Sequence, residues 1–209
     1  MNIKGEGKQF LSFFKGVHTI LKDNKIVFIT IDQQYLRALY NTCNEVYFRT
    51  NNNDNKPYVG VLITINDSKY AIPLTSAKEK HKNWKNYDNG KMVVFENVNP
   101  TAMGANDIWK LNQDGTAKHI LSVLNIAKMI PIKEGLYSIV NINPDLNDTI
   151  KQSNYKNLLN KELQFCISNK EKIIRESEKI YTKQINSGKV YFSYCDFKKL
   201  EETRDNYTI

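Results

Sequence analysis

Apolar and polar residues alternate from Lys56 to Ile65 (KPYVGVLITI), and a similar run follows at Tyr70 to Leu74. This period-two pattern, rich in β-branched side chains, predicts two strands joined into a hairpin through Asn66, Asp67 and Ser68. Ile26 to Ile31 (IVFITI) predicts an earlier buried strand, and Asp32 is placed to cap a helix whose Tyr35, Leu36, Leu39 and Tyr40 share one face. Asn44 to Asn55 reads as a polar, asparagine-rich loop. Met92 to Phe95 and Tyr137 to Ile142 predict further strands, the latter closed by Pro144, with a loop around Pro100 and Gly104 over residues 97–109. From Tyr155, the residues Leu158, Leu159, Leu163, Cys166, Ile173, Ile180 and Tyr181 recur at helical spacing. They predict one or two long helices packed on the sheet and stopped by Gly188. The tail from Tyr191 to Ile209 is expected to be ordered only in part.

Size then bounds the organisation: 209 residues, 41% of them hydrophobic, suit one domain with its own core. That domain is expected over residues 26–209. Residues 1–25 carry Phe10, Leu11, Phe13, Phe14, Val17, Ile20 and Leu21 mostly at helical spacing, interrupted by Lys15, Gly16 and His18. The interruption argues against a signal peptide and for a short amphipathic helix, as a native extension or an upstream-start artefact. No run is long and apolar enough to span a membrane.

Cys43, Cys166 and Cys195 are far apart and odd in number, which indicates neither a disulfide framework nor a zinc site. A reducing cytoplasm is the expected setting. His18, His81 and His119 are isolated in sequence, with no carboxylates at ligand spacing. Chemistry without a metal or other cofactor is the expectation. Thirty Lys and Arg against 22 Asp and Glu leave a net charge of +8, which favours a polyanionic partner without requiring one.

The predicted hairpin ends in Pro73-Leu-Thr-Ser-Ala-Lys78, where Pro73 is expected to limit further pairing. Two hydroxyls and an ammonium, Thr75, Ser76 and Lys78, suit a phosphate: hydroxyls donate to its oxygens, and a lysine stabilises a developing phosphorane. The same residues also read as a strand end followed by a Ser or Thr cap and a solvated, lysine-rich helix. Just beyond, Trp84 and Tyr87 interleave with Lys82, Lys85 and Lys91. Aromatic faces between cations suit single-stranded RNA, and equally suit a surface segment with its rings in the core.

The ordered series KPYVGVLITINDSKYAIPLTSAKEKH, LNIAKMIPI and YKNLLNKELQF resembles the ToxN/AbiQ family, the endoribonuclease toxins of type III toxin-antitoxin systems, from about Ile26 to Tyr181. Family members place a tyrosine and a lysine just ahead of the glycine-containing strand. Lys56 matches the lysine; Asn52 stands at the tyrosine's position, with Tyr47 as the candidate stand-in, and Ala77 stands where relatives often carry proline. The resemblance implies an α+β fold, a strongly bent antiparallel sheet of the Kid and MazF kind (an SH3-like barrel) with surrounding helices and a long C-terminal helical region.

It further implies metal-independent cleavage of single-stranded, adenine-rich RNA, with the 2′-hydroxyl as nucleophile and 2′,3′-cyclic phosphate and 5′-hydroxyl ends as products. Ser76 and Thr75 would hold the phosphate, Lys78 and Lys56 would neutralise it, and His81 would orient or assist. Tyr47, Arg49, Lys80, Lys82, Trp84, Lys85, Tyr87, Lys128 and Lys156 complete the expected RNA surface. The implied partners are substrate mRNA and a small structured repeat RNA, the antitoxin, held in closed protein–RNA assemblies. Two rivals stay open: an RNA-binding module without catalysis, and an interaction domain in which PLTSAK is only a helix cap.

Overall fold

The computed structural model describes residues 26–48, 60–86 and 88–208. The helix expected over residues 1–25 lies outside them. β1 (Phe28–Ile31) leads into α1 (Gln33–Thr42), where Asp32 Oδ1 accepts the amide protons of Gln34 and Tyr35, each at 2.9 Å. This satisfies donors that the first helical turn otherwise leaves free. Tyr35, Leu36 and Leu39 are the buried stripe of α1, and the Tyr35 hydroxyl donates to the carbonyl of Pro131 at 2.9 Å.

β2 (Gly60–Ile65) and β3 (Ser68–Ser76) form the predicted hairpin. The turn is tighter than expected: Asn66 and Asp67 alone make it, at φ 45° and 62°, and Ser68 already pairs with Ile65. Two left-handed residues match the twist of the flanking strands, which is why Asn and Asp stand there. Then β4 (Lys91–Val98), β5 (Trp109–Leu111), β6 (Ala117–Asn125), β7 (Ile130–Pro131) and β8 (Tyr137–Ile139) complete an antiparallel sheet of order β4-β6-β3-β2-β1-β8, with β5 added on β6 and β7 on β3. The predicted fourth strand is thus longer than Met92 to Phe95, and residues 97–109 end in a strand.

The expectation at Pro73 is corrected. Pro73 sits opposite Gly60 where β3 leaves β2, so its missing N–H breaks no interior ladder, yet β3 runs on and pairs Leu74, Thr75 and Ser76 with Leu124, Val123 and Ser122 of β6.

The predicted long helical region is two helices, α2 (Ile150–Ser168) and α3 (Lys170–Ser187), with a final α4 (Phe197–Asn206). Thr149 and Gln152 close a reciprocal capping box at the start of α2, and Gly188, at φ 63°, stops α3 as predicted. α2 packs on β4 and β6, α3 on β2 and the 126–128 turn, and α4 on α1 and β7. The tail is anchored through α4: Cys195, Phe197 and Leu200 are wholly buried, and Glu201 accepts hydrogen bonds from the hydroxyls of Tyr70 and Tyr181, tying α4 to β3 and α3. All three cysteines are free thiols. Among the described residues, no helix is long and apolar enough to cross a membrane.

Candidate active site

Opposed residues of an antiparallel ladder share a face and neighbours along a strand alternate. The β3–β6–β4 ladder therefore places Ser76, Ser122 and Val94 on one face and Thr75, Val123 and Val93 on the other. Ser76 is exposed at the strand exit. Thr75 is half-buried, and its hydroxyl donates to the carbonyl of Val123 at 3.3 Å.

Beyond Ser76 the chain forms no lysine-rich α-helix. Lys78 instead heads one short 3-10 turn, Glu79–Asn83. Its backbone closes on His81 twice: the His81 amide donates to the Lys78 carbonyl at 2.8 Å, and the Lys78 amide donates to His81 Nδ1 at 3.0 Å. An amide can only donate, so Nδ1 accepts and the imidazole proton sits on Nε2. His81 is 4% exposed. Burial, then the charges of Lys80, Lys78 and Lys91, hold its pKa below the ordinary 6.5, keeping the ring neutral. Lys78 itself is exposed, and among the described residues its ammonium has no carboxylate partner.

The His81 ring lies 4.3 Å from that of Trp84, whose other surroundings are cationic, with Lys91 Nζ at 5.0 Å and Lys80 Nζ at 5.5 Å from the indole centroid. Trp84 is half-buried, so both readings of this run hold in part: one side of the ring packs on His81 while two ammonium groups approach it. Lys82 pairs with Glu79 at 2.8 Å and Lys85 is exposed. Lys56, Arg49 and Tyr87 lie outside the described residues.

Two expected RNA contacts are held elsewhere. The Lys128 ammonium is buried in an ion pair with Glu45, and burial pulls its pKa below the usual lysine range. Lys156 gives both of its hydrogen bonds to the Asp148 carboxylate, each at 2.8 Å. Tyr47 is tied to the sheet, its hydroxyl accepting from Asn125 Nδ2 at 2.7 Å, and Asn125 pairs in register with Lys91.

Three residues outside the expected set, Ser122, Asn125 and Glu162, complete the picture together with Lys91 of the aromatic–lysine run. Lys91 and Asn125 extend the Thr75 face, while Ser122 and Glu162 lie behind Ser76. Glu162, on α2, is 4% exposed; burial raises its pKa to about 7, against a smaller opposing effect of the Ser122 hydroxyl beside it. Ser122 Oγ is buried and closes no full hydrogen bond. For Asn125, Ser122 and Glu162, the polar Asn125 that ends the run LSVLN was the one sequence signal. His119, isolated in sequence, lies in space against Glu96 at 3.0 Å and Asp107 at 3.8 Å, with Lys161 also on Glu96 at 2.6 Å. Among the described residues, no three His, Cys, Asp or Glu side chains converge as a metal site.

This α+β chain, with a hairpin that ends at exposed Ser76 and runs on into exposed Lys78 and buried His81, has the fold of solved type III toxins. One, from a study of selective toxin inhibition by a non-coding RNA pseudoknot, superposes with a TM-score of 0.60 at 27% identity, covering 88% of this chain and 98% of that one. AbiQ, a lactococcal anti-phage endoribonuclease, shares the fold at TM-score 0.58 and 23% identity, over 87% and 96% of the two chains. In sequence, residues 27–205 match the family described as toxin ToxN of type III toxin-antitoxin systems, and the chain belongs to that family. Endoribonuclease ToxN of Bacillus thuringiensis subsp. kurstaki is 29% identical over 193 residues, 89% of this chain and 86% of the relative. Endoribonuclease ToxN of Pectobacterium atrosepticum is 29% identical over 147 residues, 70% and 72% of the two.

Proposed function

We propose that this chain is an endoribonuclease toxin that cuts single-stranded, adenine-rich RNA without a metal ion. The exit of β3 carries the reading: an exposed Ser76 and an exposed Lys78 lead into a neutral His81 with its proton on Nε2, and His81 packs on a ring flanked by two lysines. Attack of the 2′-oxygen forms an O–P bond, the P–O5′ bond breaks, the 2′ proton departs and the leaving oxygen gains one. The products are a 2′,3′-cyclic phosphate and a 5′-hydroxyl end. The enzyme's part is to align the in-line geometry and stabilise the charge on the phosphoryl oxygens.

Ser76 and Lys78 supply donors to those oxygens, with Lys56 as a second cation. His81 adds a further donor at Nε2; with its lone pair committed at Nδ1, it is not the base that takes the 2′ proton. Thr75 contributes by fixing the strand exit through Val123. Trp84 and the lysines around it take the flanking bases and phosphates, with Tyr47 as a further contact and residues 26–209 as one catalytic domain. The inhibitor is a small structured repeat RNA that the toxin itself processes and retains in a closed assembly. A solved relative's inhibition by an RNA pseudoknot supports this, as does the net charge of +8.

The test is incubation of purified protein with an adenine-rich oligonucleotide in excess EDTA, followed by identification of the ends. Cyclic phosphate ends that vanish in Ser76→Ala and Lys78→Ala, with RNA binding retained by Ser76→Ala, support the enzyme and its site. RNA bound but left whole by wild-type protein supports a binding module instead.

A further inference from the structure

The connector between α3 and α4 carries aromatic residues that the site above does not use. Phe192 is 97% exposed, and Val190 before it is 42% exposed. Tyr191 is half-buried, with Lys183 Nζ 4.7 Å and Lys189 Nζ 5.8 Å from its ring centroid, and the ring of Tyr194 stands 5.7 Å away. Among the described residues neither lysine has a carboxylate partner. A phenylalanine wholly in water forgoes its burial energy, and two ammonium groups crowded at one ring repel each other.

The connector is nonetheless firmly held. The Cys195 amide donates to the Ala127 carbonyl at 2.9 Å, and buried Gln184 grips the chain on both sides of Asp196: its Nε2 donates to the Cys195 carbonyl at 3.0 Å, and its Oε1 accepts from the Phe197 amide at 2.7 Å. Phe192 is therefore presented from a fixed base, ahead of a chain reversal at Ser193, φ 65°. The base also touches the candidate active site. Ala127, which holds Cys195, is so close to Gly90 that a Cβ on Gly90 would lie 2.9 Å from Ala127 Cβ, and Gly90 leads directly into Lys91 at the Trp84 ring. The two aromatic–lysine groups thus stand on segments that meet at Ala127.

We propose that Lys183, Lys189, Tyr191 and Phe192 form a second RNA-contact platform, which takes an unpaired nucleotide of a strand already engaged at the cleavage site. A base stacks on Phe192, and the lysines beside Tyr191 meet the adjoining phosphates. Stacking tolerates any base, so the platform adds affinity and reach without base preference. This inference rests on the ribonuclease reading of the β3 exit.

The test uses two oligonucleotides blocked at the 2′-oxygens, one of about 5 nucleotides and one of about 20, measured by fluorescence anisotropy. Phe192→Ala is expected to weaken the long RNA roughly five- to hundredfold and to leave the short one unchanged, with Phe192→Trp restoring affinity. Lys183→Gln with Lys189→Gln should lower the salt dependence on the long RNA alone. Wild-type affinity for the long RNA in both sets of variants overturns the platform, as does an equal loss on the short RNA. Absence of binding to either RNA by wild-type protein overturns the ribonuclease reading and the platform together. Cleavage of the unblocked short RNA with an unaltered long-RNA affinity in the variants removes the platform alone.

Discussion

Glu162→Gln is expected to stabilise the protein by about 3 kcal/mol at pH 8 and to change almost nothing at pH 4. The carboxyl lies on the stripe of α2 that carries Leu159 and Cys166 and faces the sheet, 4% exposed, with the Ser122 hydroxyl as its polar neighbour. Its nearby titratable groups, Tyr155 and Cys166, are neutral in the folded protein, their own pKa values raised by burial. Below pH 4.5 the carboxyl is protonated in both folded and unfolded chains and contributes nothing to the balance.

Above that pH the unfolded chain ionises while the folded one stays neutral, so stability falls until the folded group ionises near pH 7. The separation of about 2.5 pH units, at about 1.36 kcal/mol each, gives a penalty of about 3 kcal/mol that is complete above pH 7. Glutamine keeps the shape and a donor for Ser122 without a charge to bury. Urea titrations followed by circular dichroism at pH 4, 6 and 8 read the effect, and for a chain of this size it corresponds to a melting shift of roughly 6–12 °C at the alkaline end. Stability curves for the two proteins that run parallel across this range would refute the reasoning, since a group already ionised in the fold carries no such penalty.

Gly90→Ala should cost about 1–3 kcal/mol in chemical denaturation, because φ is 66° and the new methyl meets both Ala127 Cβ at 2.9 Å and its backbone nitrogen at 3.1 Å. Asp67→Gly should gain about 0.5–1 kcal/mol by relieving a left-handed residue at φ 62°; a loss would mean that the Asp67 side chain holds the turn. In salt titrations of RNA binding, Lys78→Ala should flatten the slope by about 0.7, whereas Lys128→Met should leave it alone, since the Lys128 ammonium is already paired with Glu45. The cleavage rate should show no fall between pH 8 and 6.5 from protonation of His81, whose pKa is held below 6.5; a fall that disappears in His81→Gln would contradict this.

What the sequence revealed was what neighbouring residues decide. The hairpin follows from alternation around Asn66 and Asp67, α1 from Asp32 and its four-residue stripe, and the end of α3 from Gly188. Pairing of β3 beyond Pro73 was not legible, because its partner β6 is distant in the chain and nothing local announces it. β5 was hidden by its length, three residues within a polar stretch, and α4 by its charge, which leaves Phe197 and Leu200 as its buried anchors. Glu162 was invisible for a related reason: helical spacing marks which apolar residues share a face, and a carboxyl on that face is read as a solvent position. Lys128 and Lys156 entered the candidate RNA surface on the family resemblance; only the three-dimensional arrangement shows the carboxylates that occupy them.

β3 is built against two neighbours that arrive at different times. Through Pro73 it pairs with β2 across a two-residue turn, but its last residues wait for β6, with Ser76 meeting Ser122 far along the chain. Contacts close in sequence form readily, while distant ones come after a long loop has closed. A chain still on the ribosome can therefore hold a finished hairpin whose exit has no second strand beside it until β6 has been made. The surface around Ser76 is therefore one of the last parts of the sheet to take its final form.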